Sequence, residues 1–219
     1  MKLSQHLYDQ VKDIWEAYHD HPFIQALGDG SLPIEKFRFY MLQDYAYLYD
    51  YVKVFALGIV KTNDPEIMRF FADFVSSTLN GEMSIHKACM ARLGVPDEAV
   101  KDVRKSLSNL SYTHYMLAVG HDGDVLDILI AILACAWSYQ LIGERLAKIP
   151  GAADHPFYGE WIRGYASEEY AEGNRRLLDM VDRLGEGVGE ARLARLDEIF
   201  INCSRYEGMF WDMAWEEAL

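Results

Sequence analysis

The chain has 219 residues, of which 51% are hydrophobic, and it carries a formal net charge of −13 at pH 7. This length and apolar content suffice for the core of one large domain. Phosphate groups demand clustered lysine and arginine, so the acidic balance argues against nucleic acids and anionic membrane surfaces as partners.

The cysteines and the longest apolar run predict a cytoplasmic protein without a membrane anchor. Cys89, Cys135 and Cys203 are an odd number of cysteines, so they give no even disulfide framework, and two of them lie within apolar helical patterns. The N-terminal sequence shows no signal-peptide apolar core. The apolar run 128–137 is too short to span a bilayer, and we expect it to be a buried central helix.

Apolar residues recur at helical spacing along almost the whole chain, and caps and prolines mark the helix ends. The predicted helices run from Ser4, as N-cap, through Tyr18; from Pro33 to about Lys61; from Asp64-Pro65 to Leu93-Gly94; from Ser111 to Gly120 or Gly123; from Asp124 to about Ile149; from His155-Pro156 to about Gly164; from Ser167 to Leu184; and from about Gly187 to the C terminus. No stretch alternates with period two for long enough to suggest a sheet. The sequence therefore predicts a single all-α domain over residues 1–219, packed as a helical bundle.

The predicted central helix carries a cysteine in its middle. Cys135 is followed four residues later by Tyr139, so both side chains lie on one helical face. A thiol in this setting is either a small core residue or a nucleophile in a pocket, and the local pattern leaves both interpretations open.

The second long helix places an acid among tyrosines. Asp44, Tyr47 and Tyr51 stand at i, i+3 and i+7 and share a face. Burying an acid there is costly unless another group hydrogen-bonds it. The alternatives are a surface aspartate beside tyrosines that fill a core or interface, or an acid in a functional site, and they are about evenly balanced.

The last helix contains a second acid with apolar neighbours. Glu207 has Cys203, Phe210 and Trp211 at helical spacing, which suggests an inward-facing carboxylate. Desolvation can raise the pKa of such a group and make it a general acid near neutral pH. An ion pair with a residue such as Arg205, or a solvated face, is the somewhat favoured alternative on this pattern alone.

Two further tyrosines could place a hydroxyl in a pocket. Tyr112 is predicted at a helix start and Tyr165 in a loop between two helices, positions from which tyrosines sometimes reach a ligand. More often such residues cover a core, so each is a weak signal.

No metal site is predicted. Glu82 and His86 are four apart, whereas di-iron bundles use Glu-x-x-His pairs on two helices, and no second copy is found. Zinc-type Cys-x-x-Cys spacing and glycine-rich phosphate loops are also absent from the sequence. A structural or solvent-facing role for Glu82 and His86 is therefore favoured.

Taken together, these residues resemble the TenA/thiaminase II family. The similarity covers essentially the whole chain in order, and the segments around Cys135 and Phe210 are its most specific parts. The segments that carry the resemblance are Phe39–Leu48, Glu82–His86, Leu133–Tyr139, Trp161–Ser167 and Tyr206–Ala214.

The resemblance implies a haem-oxygenase-like helical fold without haem or another cofactor, usually assembled as a homotetramer. It implies a hydrolase of thiamin salvage that releases 4-amino-5-hydroxymethyl-2-methylpyrimidine. The expected partner is a small pyrimidine substrate, either the 5-aminomethyl pyrimidine formed by thiamin breakdown or thiamin itself, and the sequence does not decide between them.

The resemblance also assigns roles to residues. Cys135 matches the family nucleophile, Glu207 the general acid/base, and Asp44 the acid that holds the substrate and the thiol. Asp44 would act either as a base for the thiol or as a ligand for the 4-amino group of the pyrimidine. The residues matching the aromatic substrate pocket are Tyr47, Tyr112, Tyr139 and Tyr165, with Phe210 as a further wall.

Two other functions remain open. One is a metal-dependent oxidative enzyme on the same fold, against which the missing second Glu-x-x-His pair counts. The other is a non-enzymatic regulator of secreted-enzyme expression, which would act indirectly because an acidic chain without a helix-turn-helix signature is poorly suited to DNA.

Overall fold

The computed structural model describes residues 2–219, and all regular structure in that part of the chain is helical. The helices are α1 Leu3–His19, α2 Pro22–Asp29, α3 Ile34–Val60, α4 Pro65–Ser77, α5 Met83–Arg92, α6 Asp97–Lys101, α7 Leu107–Asp122, α8 Val125–Leu146, α9 Gly159–Tyr165, α10 Glu168–Leu184 and α11 Glu190–Glu216. A π-helical turn, Thr78–Glu82, joins α4 to α5, and a 3-10 turn, Ala152–Asp154, precedes α9. The predicted all-α class is confirmed.

Helix starts with strong capping residues were predicted correctly. The Asp64 side chain accepts a hydrogen bond from the Glu66 amide at 2.8 Å, and Ser167 accepts one from the Tyr170 amide at 3.1 Å. Asp124 likewise accepts from the Leu126 amide at 2.9 Å at the start of α8. These side chains satisfy amides that have no partner inside the helix, which explains why they mark helix starts so clearly.

Two predicted caps are wrong. Ser4 lies inside α1, where its amide and hydroxyl bond the Asp182 carboxylate at 2.8 and 3.0 Å, so its polar group serves a tertiary contact. Helix α7 begins at Leu107, because Ser106 rather than Ser111 is its N-cap. Tyr112 therefore lies inside the helix.

Several shorter elements differ from the sequence-based prediction. Helix α9 begins at Gly159, not at His155-Pro156, and Tyr165 is its last residue rather than a loop residue. Helices α2 and α6 were missed. The signal for α2 was present, since Pro22 occupies the first helical position after an N-cap histidine.

The central helix α8 is apolar enough to cross a membrane by length and composition, as core helices also are, and 78% of its most apolar window is buried inside the protein. Side chains Leu129 to Ala134 have no exposed surface. The prediction of a buried central helix is confirmed.

Contacts along the backbone group the chain into two compact units. One comprises Met1–Leu32 and Leu129–Asp212, and the other comprises Pro33–Ile128 and Met213–Leu219. Cys135 and Glu207 belong to the first unit and Asp44 to the second. The single domain over residues 1–219 stays a prediction.

Candidate active site

Asp44 is a buried acid with specific partners. It lies on α3 with 4% of its surface exposed, so the interpretation as a surface aspartate is wrong. Its Oδ2 atom lies 2.6 Å from Nε2 of His86 and accepts a hydrogen bond from the Tyr40 hydroxyl at 3.3 Å. The partners offset the cost of removing a carboxylate from water.

His86, on α5, is the principal partner of Asp44. Its Nδ1 lies 2.9 Å from the backbone oxygen of Glu82, and its Nε2 faces the Asp44 carboxylate. Both neighbours are acceptors, so both ring nitrogens donate in the charged imidazolium. Burial acts to lower the pKa of His86, but the hydrogen bond and charge of Asp44, with the charge of Glu82, raise it above its ordinary value.

This pair was not predicted from the sequence. His86 is only 3% exposed, so the solvent-facing alternative is wrong. A structural role for this histidine is consistent with its burial. The π-helical turn Thr78–Glu82 ends at the residue whose carbonyl anchors the His86 ring. Such turns occur frequently at functional sites.

Aromatic contacts join α3 to α7 in the same unit. The rings of Tyr47 and Tyr112 lie 5.4 Å apart, and the Tyr47 hydroxyl donates to Sδ of Met116 at 3.7 Å. Gln43 reinforces the contact, because its Oε1 accepts from the amide of Ser106 at 3.0 Å. Two of the predicted pocket tyrosines are therefore brought together.

Cys135 differs from the other two cysteines in its accessibility. The side chain of Cys135 is half-buried, whereas Cys89 and Cys203 are buried. Burial raises the pKa of the thiols of Cys89 and Cys203. Cys135 is thus the thiol best placed to meet a small molecule, which favours the interpretation as a nucleophile over a core residue.

Glu207 is a buried acid near two groups that become negative on ionisation, Tyr18 and Cys203. It is 2% exposed on α11, so the solvated-face alternative is wrong. Burial, followed by the charge of Glu207, raises the pKa of Cys203 well above its ordinary value. An ionised Glu207 therefore opposes further negative charge in its surroundings.

Tyr18, on α1, is affected by the charges of both predicted catalytic residues of this unit, Cys135 and Glu207. Its hydroxyl donates to the backbone oxygen of Ser204. Burial raises the pKa of Tyr18 well above its ordinary value, and the negative charges of Glu207, Cys203 and Cys135 raise it further. The charges of Cys135 and Glu207 therefore both act on the Tyr18 hydroxyl. No sequence signal distinguished Tyr18 from the other apolar-stripe residues of α1.

The other predicted pocket residues of this unit form an aromatic cluster. The Tyr139 ring lies 5.0 Å from that of Tyr165 and 5.1 Å from that of Trp211. Gly143 permits the approach of α9 to α8, since a Cβ there would stand 2.7 Å from the Cβ of Tyr165. Phe210 is buried on α11. The cluster offers flat apolar surfaces of the kind that stack heterocycles.

Among residues 2–219, no group of three or more His, Cys, Asp and Glu side chains is arranged to hold a metal ion. Among the described residues, the half-buried thiol of Cys135 and two of the buried carboxylates, Asp44 and Glu207, are the candidates for chemistry.

The regular structure of the described residues is all helical, so the fold class is all-α, and the thiol and the two acids are groups of the kind that enzymes use. The sequence model of the TENA/THI-4/PQQC family matches residues 8–217. The chain belongs to this family, which confirms the resemblance found in the sequence.

Individual relatives agree with this assignment over their full length. The aminopyrimidine aminohydrolase of Halalkalibacterium halodurans is 46% identical over 219 residues, covering 100% of this chain and 98% of the relative. The structure of a TenA homologue from P. horikoshii OT3 superposes with a TM-score of 0.90 at 30% identity, covering 99% of both chains.

A more distant structure bears on the fold alone. A domain from Shewanella denitrificans with a heme oxygenase-like fold superposes with a TM-score of 0.78 at 16% identity, covering 99% of this chain and 93% of that one. The predicted haem-oxygenase-like fold is confirmed.

Proposed function

We propose that this chain is an aminopyrimidine aminohydrolase of thiamin salvage. It releases 4-amino-5-hydroxymethyl-2-methylpyrimidine from the 5-aminomethyl pyrimidine, from thiamin, or from both. Family membership and the relative named for this activity support the assignment. The structural observation that carries it is the presence, within one compact unit, of a half-buried thiol, Cys135, and a buried carboxylate, Glu207.

Cys135 acts as the nucleophile in this proposal. Its thiolate adds to the electron-poor pyrimidine ring, at the carbon next to the one that bears the methylene. The ring electrons then expel the amine, which leaves with a proton, and an exocyclic methylene remains. Water adds to that methylene, and the thiolate departs as the ring is restored. Cysteine suits both steps because it is a strong nucleophile and a good leaving group.

Glu207 acts as the general acid and base. Addition of the thiolate builds negative charge on the ring, and a proton delivered to a ring nitrogen neutralises it. A buried glutamate supplies that proton near neutral pH when its surroundings disfavour charge. The raised pKa values of Tyr18 and Cys203 support this role, because Glu207 contributes to both shifts.

Asp44 accepts a hydrogen bond from the 4-amino group of the pyrimidine or takes the thiol proton, and aromatic rings stack the heterocycle. Stacking of a flat ring contributes about 0.5–1.5 kcal/mol per good pair beyond area burial. The aromatic residues assigned to the substrate are Tyr47, Tyr112, Tyr139, Tyr165 and Phe210. This scheme needs no cofactor, and the homotetrameric state and cytoplasmic location stay predictions.

The test is a chromatographic assay for the hydroxymethyl pyrimidine. Purified protein is incubated separately with the aminomethyl pyrimidine and with thiamin, each with and without a metal chelator. We expect product from at least one compound, unchanged by the chelator, and the ratio of the two rates identifies the preferred substrate. Absence of product from both compounds, or loss of product with the chelator, would contradict the proposal.

A further inference from the structure

The two oxygens of the Asp44 carboxylate have different surroundings. Oδ2 receives both hydrogen bonds that Asp44 makes, from Nε2 of His86 at 2.6 Å and from the Tyr40 hydroxyl at 3.3 Å. Oδ1 accepts none from the residues the structure describes. One oxygen is therefore held by the protein while the other keeps its capacity to accept.

We propose that His86 is a positioning residue, which holds Oδ2 of Asp44 and so reserves Oδ1 to accept a hydrogen bond from the substrate's amino group. This inference rests on the proposed function, since it presupposes an aminopyrimidine substrate. It also decides between the two roles left open for Asp44, in favour of substrate binding over proton abstraction.

The charge of the pair supports this choice. The pKa of His86 is raised because the hydrogen bond and charge of Asp44, with Glu82, outweigh burial. Oδ2 of Asp44 is thus the acceptor in a hydrogen bond from a cationic ring. The carboxylate remains a strong acceptor of a hydrogen bond, and charge-assisted hydrogen bonds are the strong ones.

The ring of His86 is itself fixed in orientation. Nδ1 donates to the backbone oxygen of Glu82 at 2.9 Å, at the end of the π-helical turn. The ring therefore cannot rotate away from Asp44 without losing that bond. The 2.6 Å contact thus links the rotamer of Asp44, on α3, to the backbone of Glu82.

Two substitutions separate the two hydrogen bonds of the ring. In His86→Gln the amide nitrogen reaches the ε position and can still donate to Asp44, while the bond to Glu82 is lost. In His86→Asn the amide nitrogen lies at the δ position and can still donate to the Glu82 oxygen, while the bond to Asp44 is lost. A positioning role predicts that Gln preserves more activity than Asn, and a purely structural bond to Glu82 predicts the reverse.

We expect kcat/KM for the aminomethyl pyrimidine to fall about 10-fold in His86→Gln and about 100-fold in His86→Asn, the range for loss of a charged hydrogen bond. The change should fall mainly on KM, because substrate binding is affected. The matched control is His6→Gln, which removes the histidine of another His–Asp pair, with Asp197 at 2.8 Å. We expect that variant to keep wild-type kinetics.

A double-mutant cycle shows whether His86 acts through Asp44. Asp44→Asn alone and Asp44→Asn with His86→Gln should have the same kcat/KM, because the held carboxylate is already gone. Independent losses that multiply in the double variant would overturn the proposal, as would a His86→Asn variant more active than His86→Gln.

Should the variants fold poorly, nuclear magnetic resonance of nitrogen-15 histidine in the wild type replaces them. A proton on Nε2 of His86 at neutral pH is expected, and its absence would overturn the proposal. A wild type without any hydrolysis would instead remove the proposed function, and this inference with it. An active wild type with independent effects of the two residues would remove only the role of His86.

Discussion

Two of the buried carboxylates, Asp44 and Glu207, have different neighbours. Asp44 faces a histidine whose pKa is raised, so a positive charge compensates it. Glu207 lies near Tyr18 and Cys203, whose pKa values it helps to raise, so any ionisation there adds a second negative charge. Two acids in one chain are thereby suited to different tasks: Asp44 to accept hydrogen bonds beside a cation, and Glu207 to exchange protons.

The largest effect on activity is expected from substitution of Cys135, the proposed nucleophile. Cys135→Ala removes the nucleophile, so product release should fall about 10³-fold or more, as when other catalytic nucleophiles are removed. The measurement is the initial rate of hydroxymethyl pyrimidine formation. Cys89→Ala, which removes a buried thiol with no proposed role, should keep wild-type activity, and a Cys135→Ala variant of similar activity would disprove the covalent route.

Glu207→Gln tests the proposed role of Glu207 as the general acid and base. The amide keeps the shape of the side chain but cannot deliver a proton, so kcat should fall about 10²–10⁴-fold. Glu198→Gln on the same helix is the control, since Glu198 is exposed. Unchanged kcat in Glu207→Gln, measured across pH, would mean that another group is the acid.

Asp44→Asn tests the proposed role of Asp44 as a hydrogen-bond acceptor for the substrate. We expect kcat/KM to fall about 10–100-fold, chiefly through KM, because one charge-assisted hydrogen bond to substrate is weakened. Asp50→Asn provides a matched control on the same helix, because Asp50 is a buried aspartate held by Lys53 at 2.7 Å. A loss confined to kcat would instead favour Asp44 as the base.

The smallest effect is on stability and comes from the cation beside Asp44. The pKa of His86 is raised in the folded protein, so its contribution is fully present below the ordinary histidine pKa of about 6.5 and is lost as pH rises through the folded value. We expect wild type to exceed His86→Gln by about 1.5–3 kcal/mol in free energy of unfolding near pH 6, the range for a hydrogen bond to a charged group. Urea titrations at several pH values should show this difference shrinking toward alkaline pH, and a difference that grows with pH would contradict it.

The sequence predicted the features that depend on local spacing. The long helices and the caps at Asp64, Asp124 and Ser167 follow from periodicity and nearby residues. The assignment of roles to these three residues came from the resemblance to a family, since periodicity alone left surface and core alternatives open.

The sequence could not predict the tertiary partners. His86 lies 42 positions from Asp44, and nothing in its own helix indicates a carboxylate on another one. Tyr18 belongs to an ordinary apolar stripe, and its relation to Glu207 arises only when α1 packs against α11. Ser4 was wrongly predicted as a helix cap for the same reason. Its hydroxyl donates instead to the distant Asp182 carboxylate, a partner that local sequence does not indicate.

The central claim is that the chain hydrolyses the methylene–nitrogen bond of an aminopyrimidine. The most direct measurement is turnover of the 5-aminomethyl pyrimidine in oxygen-18 water, followed by mass spectrometry of the pyrimidine product. The account predicts that the hydroxymethyl group carries one solvent oxygen and that ammonia is released in equal amount. Product that contains oxygen from molecular oxygen, or no product at all, would contradict it.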